Sequence, residues 1–358
     1  MTTIDEAAAS PQGPLRRALD VIDDRLGVKA LQYPVPEHAN TLGWSLGGLT
    51  AATLFVLIAT GIVLAQFYNP IPEAANASVR DIVTNVWAGQ FLRGLHYWAA
   101  QAMYVLTALH LLRVFLTGSY KRPREANWLI GLSMFALVIG AILTGTVLKW
   151  DQEGFEALTH NLDISQVLGG AGFWFSDEFA GGVPLLVRLY VAHVAIIPGL
   201  ILALFAVHAM LIKRHAISPH PSVADPAPVE TDPAEERGPF THHLRRIGAF
   251  ALILLAALGA LAIFLPPGVG PTPVEGIEVT RPLWMFWWYL PMEGRWGSQA
   301  ILWFSGALFA LLAAVPFIDR NPNRWWRRRP LAMAGLVVVL GAVVVLTLVT
   351  ALTPPAPH

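Results

Sequence analysis

The sequence has 358 residues, of which 55% are apolar and only 13% are charged, and its mean hydropathy is +0.53. Soluble proteins carry about 25% charged residues, so this chain has too little polar surface for several water-facing domains. Its 24 basic residues balance 24 acidic ones, which argues against a nucleic-acid partner. The absence of cysteine excludes disulfides, thiolate metal sites and iron–sulfur clusters on this chain. We therefore predict an all-α membrane protein.

Seven stretches are long and apolar enough to cross a bilayer as helices, since a span needs about 17–25 residues. In chain order they are 44–67, 91–116, 128–148, 183–212, 247–265, 298–317 and 331–352. Before the first of them, four apolar residues recur at helical spacing and predict an amphipathic helix on the membrane surface: Leu15, Leu19, Ile22 and Leu26. A partly ordered tail is the alternative. The first 40 residues contain no apolar stretch typical of a cleaved signal peptide.

The connections between the spans divide the chain into parts. The polar, glycine-rich stretch 152–182 predicts short surface helices, and the stretch 218–238, with five prolines and five acidic residues, predicts a flexible linker. We expect an N-terminal segment at 1–42, a four-helix bundle at 43–217, a linker at 218–244 and a three-helix domain at 245–358. The N-terminus and the connections on its side of the membrane hold eighteen of the basic residues, against six on the other side. This imbalance predicts a cytoplasmic N-terminus.

Two of the predicted spans carry histidines in matching positions. His96 and His110 lie fourteen residues apart in the second span, and His193 and His208 lie fifteen apart in the fourth. Fourteen residues are nearly four helical turns, and fifteen stay within about 60° of one face, so each pair shares one side of its helix at a separation of roughly 21 Å. Because the two helices run in the same direction, His96 pairs in depth with His193 and His110 with His208. Such pairs suit two haems with bis-histidine ligation.

Other roles for these histidines fit less well. A single histidine in a membrane helix can serve as a hydrogen-bond partner between helices. Four in two pairs at matching depths favour a functional site, because ionisable groups are costly in the hydrocarbon region. Zinc or di-iron sites fit poorly, since no carboxylate lies in the histidine-bearing stretches and each depth offers only two ligands.

Glycines repeat with the same spacing in the neighbouring spans. Gly47 and Gly61 lie fourteen residues apart in the first span, and so do Gly131 and Gly145 in the third. Without a Cβ, the backbone at these positions can approach a flat cofactor closely at two depths. Helix–helix packing is the alternative role of such glycines.

Two arginines lie near the histidines of the second span in sequence. Arg93 precedes His96 and Arg113 follows His110 by three residues each. Both are candidates to pair with haem propionates, and the alternative is that they extend to the membrane interface.

Several segments around these histidines form recognisable motifs: 93–96, 110–113, 118–125, Thr144-Gly145, Trp150-Asp151-Gln152, Arg188-Leu189-Tyr190 and Ile217-Ser218. With these motifs the sequence resembles a known family, the cytochrome b of quinol–cytochrome c oxidoreductases, and most of all its photosynthetic plastoquinol–plastocyanin branch. Later in the chain, Val315-Pro316-Phe317 and Arg328-Arg329-Pro330 resemble the three-helix subunit IV of that branch. The chain thus looks like a four-helix dihaem cytochrome b fused to subunit IV.

The resemblance implies a function. It implies quinol oxidation at the outer face, with one electron passed to a Rieske iron–sulfur protein and the other through two b haems to a quinone near the inner face. It further implies a c-type cytochrome subunit or equivalent acceptor, a homodimer, and a place in an energy-transducing membrane, which we expect to be a bacterial inner membrane.

The chain departs from this family at two positions. Ser45 stands where the photosynthetic branch attaches an extra haem to a cysteine, so we expect no covalent haem. At the outer quinol site the family has Pro-Glu-Trp-Tyr, whose glutamate is thought to accept a quinol proton, and the best match here begins with Pro282, Leu283 and Trp284. Leucine cannot accept a proton.

The loss of that glutamate leaves several interpretations open. Glu278, Glu293 or a carboxylate between the third and fourth spans could replace it, or the outer site is altered or lost. Pro282, Leu283 and Trp284, with the aromatic residues that follow, are candidates to line the outer quinone pocket, and an interfacial aromatic belt is the alternative role of the aromatic residues. The rival function is a non-catalytic dihaem anchor that conducts electrons. A transporter is disfavoured, because the spans show no clear breaks or polar groups other than histidine near the membrane centre.

Overall fold

The computed structural model describes residues 13–26, 33–221, 237–277 and 279–353, and it confirms seven helices of membrane-spanning length and composition. The spans are α2 (Leu42–Leu64), α4 (Gly89–Leu116), α5 (Glu125–Leu148), α7–α8 (Leu185–His215), α9 (Phe240–Phe264), α11 (Gln299–Ile318) and α12 (Pro330–Leu352). Shorter helices are α1 (Pro14–Leu26), α3 (Pro72–Thr84), α6 (Gln152–Val167) and α10 (Leu290–Trp296). Short 3₁₀ helices of one or two turns cover Glu37–Asn40, Gly169–Phe175, Asp177–Ala180, Trp284–Tyr289 and Trp326–Arg328.

Helix α1 covers the predicted amphipathic segment, and α6 with the 3₁₀ turns after it covers the predicted surface helices. Within the predicted linker, residues 222–236 lie outside the described residues. The fifth span begins at Phe240, before the predicted 247, because Pro239 has an extended backbone from which the helix starts. The polar residues that follow can be helical outside the apolar stretch. Two short antiparallel strands, Val35–Pro36 and Arg237–Gly238, join the segments that lead into α2 and α9.

The fourth span contains a π-helical turn at Ala192–Ile196, which separates α7 (Leu185–Val191) from α8 (Ile197–His215). Pro198 follows this turn and lacks the N–H that a regular α-helix needs there. A π-turn accommodates one more residue than an α-turn. The fifteen residues from His193 to His208 therefore advance the helix about as far as fourteen do in α4.

The four-helix bundle has its core between α2, α4, α5 and α8. Helix α2 packs along α4, and α5 packs along α8. The central apolar cluster joins these helices to the 3₁₀ turn 284–289 and contains Leu54, Met103, Val138, Ile142, Ile201, Met285 and Phe286. The three-helix domain adds α9 against α4 and α2, and α11 against α5. Large apolar side chains on α9 and α12 stay exposed, as expected for surfaces that face lipid.

A buried polar cluster fastens the three-helix domain to the bundle at the end where α4 terminates, which we call the inner end after the orientation predicted from the sequence. The guanidinium of Arg329, at the start of α12, donates to the Tyr120 hydroxyl (2.9 Å), to Asp319 (3.1 Å) and to the backbone carbonyl of Phe115 at the end of α4 (2.6 Å). Lys121 lies 2.9 Å from the same carboxylate. Burial raises the pKa of Asp319, but the hydrogen bonds from Lys121 and Tyr120 and the nearby positive charges outweigh it, so the pKa is lowered.

At the outer end, α6 holds the connection between α9 and α10. The side-chain amide of Gln152 donates to the Ile277 carbonyl (2.8 Å), and its oxygen accepts from the Val274 N–H (2.8 Å). Glu156 accepts from the backbone N–H groups of Val279 (2.9 Å) and Thr280 (3.0 Å). This pairing brings the segment that carries Leu283 against α6.

Candidate functional site

The outer histidine pair meets inside the bundle. The rings of His96 on α4 and His193 in the π-turn have centroids 6.2 Å apart. Two metal–nitrogen bonds of about 2 Å each, together with the two ring radii, span a similar distance. The structure thus brings together the two residues that the sequence predicts as one ligand pair, at a separation that fits one metal atom between them.

Two threonine hydroxyls orient these rings. Thr60 on α2 donates to the Val56 carbonyl (2.7 Å), and its oxygen lies 2.9 Å from Nδ1 of His96. Thr144 on α5 donates to the Gly140 carbonyl (2.8 Å) and lies 3.0 Å from Nδ1 of His193. Because each hydroxyl uses its single proton on a carbonyl, it accepts the Nδ1 proton of the ring. Nε2 then keeps its lone pair for a metal.

The four glycines lie directly behind the four histidines. A Cβ built on Gly61 or Gly145 would lie 3.3 Å from Cε1 of His96 or 2.8 Å from that of His193. The same construction puts Gly47 3.0 Å from His110 and Gly131 3.6 Å from His208. The glycine and histidine repeats therefore match one to one, and three of the four positions have no room for an ordinary Cβ contact.

The inner pair has a different polar environment. Nδ1 of His208 is buried with no hydroxyl beside it and faces only the backbone of Asn127, and the Arg113 guanidinium lies 3.4 Å from Nδ1 of His110. That guanidinium also stacks over the Trp44 ring at 4.5 Å, and its Nε is buried without a partner. An unpaired buried cation beside the inner histidines fits an anionic group such as a haem propionate.

Arg93 does not lie as the propionate role predicts. Its guanidinium donates to the carbonyls of Pro267 (2.6 Å) and Gly268 (2.8 Å), just after α9. Sequence spacing could not reveal this role, because it depends on a loop far along the chain. Within the described residues, no three His, Cys, Asp or Glu side chains form a metal site, which agrees with two ligands at each depth.

A large cavity of about 1760 Å³ lies between the bundle and the three-helix domain. Its walls are mostly apolar side chains of α5, α11 and α12, and its outer end is lined by Glu153, Glu156, His160, Pro282, Leu283 and Glu293. Pro282 and Leu283, predicted to lie at the quinone site, and Glu293, predicted as a candidate base, all line this cavity. Trp284 does not line it, because its indole instead donates to the buried Gln101 of α4 (2.9 Å) and half its surface is exposed. Glu278 lies outside the described residues.

Comparisons with known proteins agree with this geometry. The family described as cytochrome b (N-terminal)/b6/petB matches residues 101–273. The cytochrome b6 of Heliobacterium mobile is 38% identical over 191 residues, which cover 52% of this chain and 90% of that protein. The chain belongs to the cytochrome b/b6 family. It is an integral membrane protein, and membership in a family of cytochromes b implies that it binds haem b.

Two further relatives extend the comparison. A menaquinol:cytochrome c reductase cytochrome b subunit of Geobacillus thermodenitrificans is 34% identical over 220 residues, which cover 57% of this chain and 98% of that protein. A chain of a hyperthermophilic respiratory Complex III superposes with a TM-score of 0.79 at 25% identity, covering 94% of this chain and 92% of that one. The curated relatives thus match about half of this cytochrome b, and the structural likeness includes the three-helix domain. A cytochrome b6 fused to subunit IV agrees with this extent.

Proposed function

We propose that this cytochrome b is the dihaem subunit of a quinol–cytochrome c oxidoreductase-type complex. His96 and His193 would hold the outer haem, and His110 and His208 the inner one. The observation that carries this proposal is that the rings of His96 and His193 meet inside the bundle and that each of the four histidines is backed by its own glycine. Each haem, when bound, supplies one-electron redox chemistry. We propose no covalently attached haem.

The chain's own residues prepare these two sites differently. Thr60 and Thr144 hold the outer imidazoles in the tautomer that presents Nε2 to the cofactor. The residues that precede the inner glycines Gly47 and Gly131 are Leu46 and Ile130, which have no hydroxyl to accept a ring proton. Arg113 would neutralise a propionate at the inner site, where no other cation is as close to His110 in the described structure. The two cofactors would thus differ in ligand basicity and local charge.

We place the outer quinol site at the outer end of the cavity, beside Pro282 and Leu283. The apolar walls suit a quinone ring and its isoprenoid tail. Because the chain has no cysteine, the Rieske cluster and c-type haem belong to partner subunits. The proposal also includes a linker at 218–244 between the two domains and a cytoplasmic N-terminus. It further includes a homodimer in a bacterial inner membrane.

One observation favours the second candidate, a dihaem anchor that conducts electrons without oxidising quinol. Leu283 lines the cavity where the family places its proton-accepting glutamate. Purified complex with its partner subunits should be given quinol, and reduction of the outer haem should be followed by absorbance. Rapid reduction that a His193→Ala variant loses supports the catalytic subunit. Absence of any quinol-driven reduction in the wild type would favour the anchor.

A further inference from the structure

Three carboxylates line the outer end of the cavity within the described residues, and two of them are fully engaged. Glu153 forms a short ion pair with Lys149. Glu156 accepts from two backbone N–H groups, from the Thr280 hydroxyl and from the Gln152 amide. Burial raises the pKa of Glu156, but these hydrogen bonds outweigh it and the pKa is lowered. Glu156 is therefore a fixed anion with a structural role and a poor proton acceptor.

The third carboxylate, Glu293, is paired with a histidine. Oε1 of Glu293 on α10 lies 2.9 Å from Nδ1 of His160 on α6, within ion-pair distance although the two atoms are not aligned as a hydrogen bond, and the Glu293 side chain is only 15% exposed. His160 follows Glu156 by one helical turn, so the residue that anchors α6 to the loop also directs His160 toward the cavity. Both members of the pair line the same cavity as Pro282 and Leu283.

The surroundings of this pair contain few competing bases. The Tyr289 phenol is nearby, and burial together with the Glu293 charge raises its pKa, so it stays protonated. The remaining charged groups at this end of the cavity are the engaged Glu153 and Glu156 and the basic residue Arg281. Histidine is the side chain that most easily takes and releases a proton near neutral pH, and a carboxylate partner stabilises its charged form.

We propose that the His160–Glu293 pair accepts a quinol proton at the outer site, in place of the glutamate that Leu283 replaces. The inference rests on the proposed function. Oxidation of one quinol to quinone releases two electrons and two protons. One proton moves from a quinol hydroxyl to the pair and then to the aqueous phase, and the other leaves with the iron–sulfur partner. That partner takes one electron and the outer haem the other, so the step balances.

The test compares variants of the whole complex with menadiol as the quinol probe. Glu293→Gln removes the charge at constant size, and His160→Asn keeps a side-chain nitrogen near the Nδ1 position but cannot titrate. Glu178→Gln is the matched control, because this exposed glutamate follows α6 and does not line the cavity. We expect both pair variants to lower kcat by about 10²-fold, the usual scale of general-base loss, with KM nearly unchanged. The control should match the wild type.

Three further results interpret the outcome. Leu283→Glu in the Glu293→Gln background should recover part of the lost kcat, which a purely structural ion pair does not predict. Pair variants that turn over like the control, while wild type is active, overturn this inference and leave the proposed function intact. Loss of haem in both pair variants also overturns it, because the pair is then structural. An inactive wild type and control would instead contradict the proposed function.

Discussion

The hydroxyl of Thr144 gives a quantitative test of how the chain sets its outer site. The Thr144→Val substitution keeps the shape of the side chain and removes the oxygen that lies 3.0 Å from Nδ1 of His193. The ring N–H then keeps only the backbone carbonyl of Ala141 as an acceptor. The hydrogen bond that is lost is worth about 1 kcal/mol net.

The expected effect is on the midpoint potential of the outer haem. A hydrogen bond from Nδ1–H makes the imidazole a more basic ligand, which favours the oxidised metal. Its loss should raise the potential, and 1 kcal/mol corresponds to at most about 40 mV for a one-electron couple at about 59 mV per tenfold change. Haem retention at this site should weaken by about tenfold.

A redox titration followed by optical absorbance measures both haems in one sample. The inner haem is the internal control, since its glycines follow Leu46 and Ile130 and lack such hydroxyls. Thr144→Ser should restore the wild-type value. An unchanged outer potential, an equal shift of both haems, or a serine variant that behaves like valine would refute this reasoning.

Two further predictions concern packing and pH. Gly145→Ala should lose or distort the outer haem, because its Cβ would lie 2.8 Å from Cε1 of His193 and overpacking costs about 1–3 kcal/mol. Gly131→Ala is the control and should keep both haems, because its Cβ would lie 3.6 Å from His208. The haem content of the two purified variants measures the difference. Because the pKa of Asp319 is lowered, its stabilising effect is complete above the ordinary aspartate pKa of about 3.9 and is lost as the pH falls through the lowered value. The melting temperature should therefore fall more steeply on acidification toward about pH 3 in the wild type than in Asp319→Asn.

The seven spans and the four histidines could be predicted from the sequence because both depend on local patterns. Apolar length sets a membrane span, and helical geometry alone places His96 and His110 on one face. In a regular α-helix, the fifteen-residue interval from His193 to His208 predicts an offset of about 60° between the two positions. The π-turn before Pro198 was not foreseen, since the sequence signal, a proline one turn after His193, is equally compatible with a kink.

The polar contacts around the sites required the tertiary structure. Thr60 precedes Gly61 as Thr144 precedes Gly145, a repeat that could have indicated hydroxyls at the outer depth alone. Arg93 was expected at a propionate and instead holds the segment after α9, which no local pattern indicates. His160 was missed, because its partner Glu293 comes from a distant segment and a single histidine on a surface helix carries no signal of its own.

Low-temperature paramagnetic resonance of the oxidised, purified chain tests the central claim most directly. Two pairs of facing histidines predict two low-spin ferric signals of equal integrated intensity, each corresponding to one haem per chain. His193→Ala should remove only one of these signals. A single low-spin signal, or a majority of high-spin iron in the folded wild-type protein, would contradict bis-histidine ligation at both depths.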